Sequence, residues 1–119
     1  MKIRVVKIEV GSQPTITEIE QSLEASQQVV GGHLACIRIG TNIDMWINEE
    51  GLINGLERNI VLASKGQPYD VIHGNVFFAS HDSTGDTIAL TDEQIDELKN
   101  RMLEAVSPTG ETLLAINVD

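Results

Sequence analysis

Turn-forming residues interrupt the middle of this chain so often that its regular elements must be short. Leu34–Ile39 and Ile43–Asn48 are apolar runs of strand length, and Gly40–Thr41–Asn42 between them predicts a β-hairpin. Two further turn signals follow, at Asn48–Glu49–Glu50–Gly51 and at Asn54–Gly55. Between them we expect the apolar pair Leu52–Ile53 to continue the meander.

The flanking segments carry weaker patterns. In Lys2–Val10 the apolar alternation slips near Val6–Lys7, which indicates a bulge or a strand buried on both faces. Thr15 and Glu18 form a capping-box pattern, which predicts a helix to about Gln27. We also expect a short helix at Arg58–Ser64. Three further strands are predicted at Val71–Ile72, Val76–Ala79 and Thr112–Val118.

The clearest element is a helix predicted over Thr91–Val106. Thr91 and Gln94 form a capping box, and Ser107–Pro108 ends the pattern. Its predicted buried stripe consists of Ile95, Leu98, Met102 and Val106.

These elements predict one α+β domain over residues 1–119, a small mixed or antiparallel sheet with two main helices packed on it. Only four residues are aromatic, so the core must be mainly aliphatic. Two helices leave much of a sheet uncovered, and open sheet edges are usually paired or covered, so we expect a homo-oligomer.

Charge limits the partners. The net charge is −10, and the segment from Asp82 to Asp119 holds nine acids and only two bases. Such a surface repels nucleic-acid backbones and anionic membranes, whereas it can attract a basic protein. An ordinary solubilising surface would have the same composition.

Cys36 is the only cysteine, so no intrachain disulfide can form. Its apolar neighbours predict a buried structural thiol in a strand. Met1–Val10 is short and charged, unlike a signal peptide, and together with the single cysteine this predicts a reducing intracellular compartment.

Motifs for catalysis, metal binding and cofactor binding are missing from the sequence. His33, His73 and His81 are widely spaced, and neither a nucleophile elbow nor a phosphate-binding loop occurs. Glu49 and Glu50 would point apart on an extended chain, so a hydrolase using one of them is a minor alternative. We therefore expect no catalytic residue, metal or cofactor. Gly31–Gly32 predicts a turn, with a phosphate cradle as the alternative.

Amides, carboxylates and one arginine are concentrated between residues 48 and 59. Asparagine offers both a donor and an acceptor, and arginine can hold an anion in a bidentate fork. We interpret this cluster as a candidate ligand-binding site. The alternative is that it consists of two ordinary turns and a helix cap. The candidate residues are Asn48, Glu49, Glu50, Asn54, Arg58 and Asn59, with Glu57 beside them.

The same stretch resembles a known family. The pattern comprises Gly31–Gly32, the run from Ile43 to Leu52, Gly55–Leu56 with Asn59, Ile72 with Gly74–Asn75–Val76, and Leu90–Gln94. It is similar to the small proteins classed as domain of unknown function 3846, over about Val30 to Leu98. Two positions differ from the family's usual pattern, Ala35 in place of an acid and Glu57 in place of a proline.

The resemblance implies an accessory phage protein in the cytoplasm of a bacterial host, because the family is common in phages and mobile elements. By analogy, we expect a non-enzymatic counter-defence protein that sequesters a small nucleotide-like immune signal at a subunit interface. The alternative is an acidic inhibitor that mimics nucleic acid and blocks a host nuclease or another defence effector.

Overall fold

The computed structural model of the chain describes residues 1–40 and 42–119. Within these ranges lie ten strands and two helices, so the chain is richer in strand than predicted. In order they are β1 (Lys2–Ile8), β2 (Thr15–Glu20), α1 (Leu23–Val30), β3 (Leu34–Ile39), β4 (Ile43–Asn48), β5 (Arg58–Ser64), β6 (Gln67–His73), β7 (Val76–His81), β8 (Thr87–Ile88), α2 (Asp92–Arg101), β9 (Met102–Val106) and β10 (Thr112–Asn117).

The described strands form two sheets. A six-stranded sheet has the order β2-β1-β7-β4-β3, with β8 paired to β7, and a four-stranded sheet has the order β6-β5-β10-β9. All pairs are antiparallel except β5 with β10, which run parallel. The α+β class with mainly antiparallel pairing and two helices is confirmed, although two sheets replace the single small sheet expected.

The core has two parts because the six-stranded sheet is buried on both faces. On β7, Phe78 points into the larger cluster, which also holds α2 and residues of the four-stranded sheet. Its neighbour Phe77 points to the opposite face, which we call the outer face, where Val30 of α1 packs. On β1, Val6 and Ile8 join the larger cluster while Ile3 and Val5 join the other. The phase slip therefore marks a strand buried on both faces.

The predicted helix from Thr15 to Gln27 is wrong. Residues 15–20 form β2, which pairs with β1 over six residues, and the helix begins only after Ser22, whose hydroxyl accepts from the Ala25 amide at 3.1 Å. The β-branched residues Ile16, Thr17 and Ile19 favour this strand.

The short helix predicted for Arg58–Ser64 is also wrong, since this segment forms β5 in the interior of the four-stranded sheet. Its run Ile60–Ala63 is buried throughout, as is usual for a central strand. Leu52–Ile53 belongs to a turn and does not continue the meander.

The helix at Thr91 begins as predicted, with both bonds of the capping box formed, and Ile95 and Leu98 are buried. It ends at Arg101, and Met102–Val106 instead form β9, paired with β10. Val106, expected in the stripe, is 68% exposed. The β3–β4 hairpin is formed as predicted, with Thr41 outside the described residues.

Candidate functional site

The candidate segment 48–59 carries the chain from one sheet to the other, since β4 belongs to the six-stranded sheet and β5 to the four-stranded sheet. Turns occupy its centre. The six candidate residues fall into three structural groups: two are buried, one is in an ion pair, and three are exposed.

Asn48 is buried, and its side chain bonds to the protein backbone on both sides. Its amide nitrogen donates to the Val30 carbonyl at 3.2 Å, and its amide oxygen accepts from the Glu50 N–H at 2.8 Å. Gly32 lies so close that a Cβ there would be 2.8 Å from the Asn48 amide nitrogen. Asn48 thus fixes the end of α1 to the turn after β4, and the Gly31–Gly32 pair is a turn, as predicted.

Asn59 is also buried and connects elements from both sheets. Its amide nitrogen donates to the carbonyl of Ile8 at 2.9 Å and to the carbonyl of Gly74 at 2.8 Å. Ile8 ends β1 and Gly74 lies between β6 and β7. One side chain therefore satisfies two buried carbonyls where three segments meet.

Two further motif glycines, Gly51 and Gly74, lie in close contact near the same place. A Cβ on Gly51 would lie 2.5 Å from the His73 carbonyl oxygen, so only glycine permits this approach. The His73 ring contacts the Leu56 carbonyl through Nδ1 at 2.9 Å, and the Gly74 amide donates to the Glu57 carbonyl at 2.8 Å. The segments that are far apart in the resemblance pattern thus hold one another in position.

The centre of the segment is open to solvent. Glu49, Glu50 and Asn54 are exposed, and between them Leu52 and Ile53 are 72% and 82% exposed. We call residues 49–54 the exposed turn. Large apolar side chains so fully exposed beside two carboxylates do not contribute to the core.

Arg58 lies next to Asn59 but points to the surface. Its guanidinium forms an ion pair with Glu111 at 2.8 Å, and both side chains are substantially exposed. Its charge is therefore already matched by a carboxylate.

A buried carboxylate on the outer face was not identified from the sequence. Asp44 accepts from Arg38 Nε at 3.2 Å and contacts His81 Nδ1 at 2.9 Å. The sequence could have indicated this ion pair, because the predicted β3–β4 hairpin places Arg38 directly opposite Asp44.

The expectation of a buried Cys36 is wrong: the residue is exposed, on the outer face near Asp44. Partial burial of the thiol, together with the adjacent Asp44 carboxylate, raises the pKa of Cys36 to about 11. The thiol therefore stays protonated at neutral pH, which disfavours a nucleophilic role.

A second feature missed from the sequence is a cleft of about 460 Å³ beside α1. Trp46 lines it and stacks on Phe77, with ring centroids 6.5 Å apart. The indole N–H of Trp46 is buried and finds no hydrogen-bond partner among the described residues. Its volume and its aromatic lining make this cleft a second candidate for ligand binding.

Among residues 1–40 and 42–119, no three histidine, cysteine or acidic side chains converge in a way that could hold a metal ion. Within the same ranges, neither helix has the length and apolar character needed to cross a membrane.

Together these features define a class of small α+β protein in which buried asparagines and close-packed glycines fix an exposed turn between two sheets. The chain belongs to the family described as domain of unknown function (DUF3846), whose model matches residues 1–103. The resemblance drawn from the motif residues is thereby confirmed, and it extends beyond them to β1, β2 and α2. No curated protein and no solved structure shows a significant match to the chain.

Proposed function

We propose that this protein is a non-enzymatic binding protein that blocks a basic protein surface, as an accessory counter-defence protein of the bacterial cytoplasm would do. The observation that carries the proposal is the exposed turn, where the apolar side chains of Leu52 and Ile53 are exposed shortly after the carboxylates of Glu49 and Glu50.

Two physical arguments support a protein as the partner. Exposed large apolar side chains gain free energy when a partner removes them from water, and a few such residues usually dominate an interface. The carboxylates beside them, in a chain of net charge −10, favour a partner of positive charge and disfavour an anionic one. A host nuclease or another effector that binds nucleic acid presents such a surface.

The turn is also suited to recognition because its ends are fixed. Asn48 on one side and Asn59 on the other bond to backbone groups of neighbouring segments. A surface held in place before binding loses less conformational entropy in the complex.

A differential capture experiment tests the proposal. Glu49→Lys/Glu50→Lys reverses both charges in the exposed turn, and Glu93→Lys/Asp96→Lys makes the same change in net charge on the exposed surface of α2. We expect a bacterial protein retained by the wild type and by the α2 variant but lost from the turn variant. Identical capture by all three proteins, or equal loss from both variants, would contradict the proposal.

Sequestration of a small nucleotide-like signal is the second candidate, and the Trp46 cleft is the observation that favours it. An aromatic ring can stack on a base, and a helix N-terminus can bind a phosphate. Trp46 and the start of α1 both line this cleft, although two acids line it as well. Mass spectrometry of small molecules released from protein exposed to infected-cell lysate checks this candidate, and the absence of any bound nucleotide would exclude it.

We also propose that the protein is a homo-oligomer, most simply a dimer. Among the described strands, β2, β3, β6 and β9 lie at sheet edges, and β9 exposes Leu103 and Val106. Unpaired strand edges with apolar side chains favour pairing with another chain. Light scattering on a sizing column tests this, and a mass of one chain at micromolar concentration would contradict it.

A further inference from the structure

We infer that the cleft beside Trp46 binds a cationic side chain, an arginine or lysine, presented by the protein partner. The inference deepens the proposed function, on which it rests, by assigning a second contact and the chemistry of the group that fills it.

The cleft has the size and lining of a ligand site. Its volume of about 460 Å³ lies within the range of roughly 300–1,000 Å³ usual for such sites. Ile3, Leu23 and Leu34 form apolar walls around Trp46. These walls suit the methylene stem of a long side chain, which arginine and lysine bury while keeping the charged end near water.

Trp46 supplies an aromatic surface with a fixed position. The ring stacks on Phe77, which is fully buried, with an interplanar angle of 25°. Tryptophan is the best of the aromatic side chains at attracting a cation to its face, and the attraction increases when the cation is partly removed from water.

The charged side chains that line the cleft are acidic. Among the described residues that line the cleft, the charged ones are Glu20 and Asp86, both acids. Glu20 Oε2 lies 3.2 Å from the Met1 amino nitrogen, so this carboxylate is already paired. Asp86 is exposed, and its carboxylate oxygens can accept hydrogen bonds from a bound cation. The Asp86 carboxylate attracts a cation and repels a phosphate, which favours a cationic side chain over a nucleotide.

The fluorescence of Trp46 measures binding directly, because it is the only tryptophan in the chain. The probe is Nα-acetyl-arginine amide, and its matched control is Nα-acetyl-citrulline amide, which has a similar shape without the charge. We expect a saturable change with the arginine probe, with a dissociation constant of about 1 mM, and at least about tenfold weaker binding of citrulline.

Two variants with the same change in net charge locate the site. Asp86→Asn removes a carboxylate from the rim, and Asp96→Asn removes one from the exposed surface of α2. Asp86→Asn should weaken binding of the arginine probe about tenfold, while Asp96→Asn should leave it unchanged. A thermal melt of each variant confirms that the fold is intact.

Equal binding of arginine and citrulline would overturn the inference, as would equal effects of the two variants or the absence of saturable binding. Preferential binding of AMP over the arginine probe would also overturn it and would support the nucleotide candidate. Glu49→Lys/Glu50→Lys should leave binding of the probe intact. If Glu49→Lys/Glu50→Lys loses the partner but the wild type does not bind the arginine probe, the inference about the cleft is wrong. The proposed function is then still supported.

Discussion

The two ends of segment 48–59 and its centre use similar polar residues in opposite ways. At the ends, Asn48 and Asn59 are buried, and their amides bond to carbonyls of α1, β1 and the β6–β7 connection. At the centre, Glu49, Glu50 and Asn54 are exposed beside two apolar side chains. The difference shows that a cluster of polar residues in sequence can divide between buried groups that hold the fold together and exposed groups that do not. We propose that the exposed groups serve recognition.

Removal of the Asn59 amide should have the largest effect on stability. Asn59→Ala leaves the buried carbonyls of Ile8 and Gly74 without their donor, at a cost of about 1–3 kcal/mol each, or about 2–6 kcal/mol of unfolding free energy in total. Asn54→Ala, in the exposed turn, should change it by less than about 0.5 kcal/mol. Urea denaturation measures both. Equal midpoints for the two variants would remove the distinction between the ends and the centre.

A methyl group on Gly51 should have the next largest effect. Its Cβ would approach the His73 carbonyl oxygen to 2.5 Å, and this oxygen belongs to the backbone and cannot rotate away. Gly51→Ala should therefore lower the unfolding free energy by about 1–3 kcal/mol. Glu50→Ala, one residue earlier, is the control and should be nearly silent. Thermal melts compare the two, and a wild-type midpoint for Gly51→Ala would show that this contact is loose.

Arg58 should have the smallest effect on stability. Its ion pair with Glu111 is exposed to solvent, and such pairs contribute at most about 1 kcal/mol. Arg58→Ala should therefore change the denaturation midpoint little, and high salt should reduce even that difference. If Arg58 bound an anionic ligand, as the sequence suggested, Arg58→Ala would instead reduce affinity for that ligand about ten- to a hundredfold. Calorimetric measurement of the affinity of Arg58→Ala for the captured partner distinguishes the two outcomes.

Local sequence signals were reliable where one pattern acted alone. The Thr91 cap and the β3–β4 hairpin are both present in the structure. The signals failed where strand pairing overrode them. Thr15 has the pattern of a helix cap, but pairing with β1 makes it the start of β2, and pairing with β10 converts the end of the predicted α2 into β9.

Burial within the candidate segment could not be predicted, because it depends on contacts between residues far apart in the chain. Asn59 bonds to Ile8, which lies 51 residues away, and only the assembled sheets bring the two together. The Trp46 cleft likewise combines α1, β3 and β4 with the loop before β8. By contrast, the exposure of Glu49 and Glu50 followed from their position in a turn.

The most direct test of the division within segment 48–59 is the affinity of the captured partner for Leu52→Ser/Ile53→Ser, measured by calorimetry beside a thermal melt. Both side chains are exposed in the free protein, so the melting temperature should not fall. If the exposed turn is the centre of the interface, the loss of two apolar contacts should weaken binding at least about thirtyfold. Unchanged affinity, or a fall in melting temperature that accounts for the lost binding, would contradict a turn dedicated to recognition.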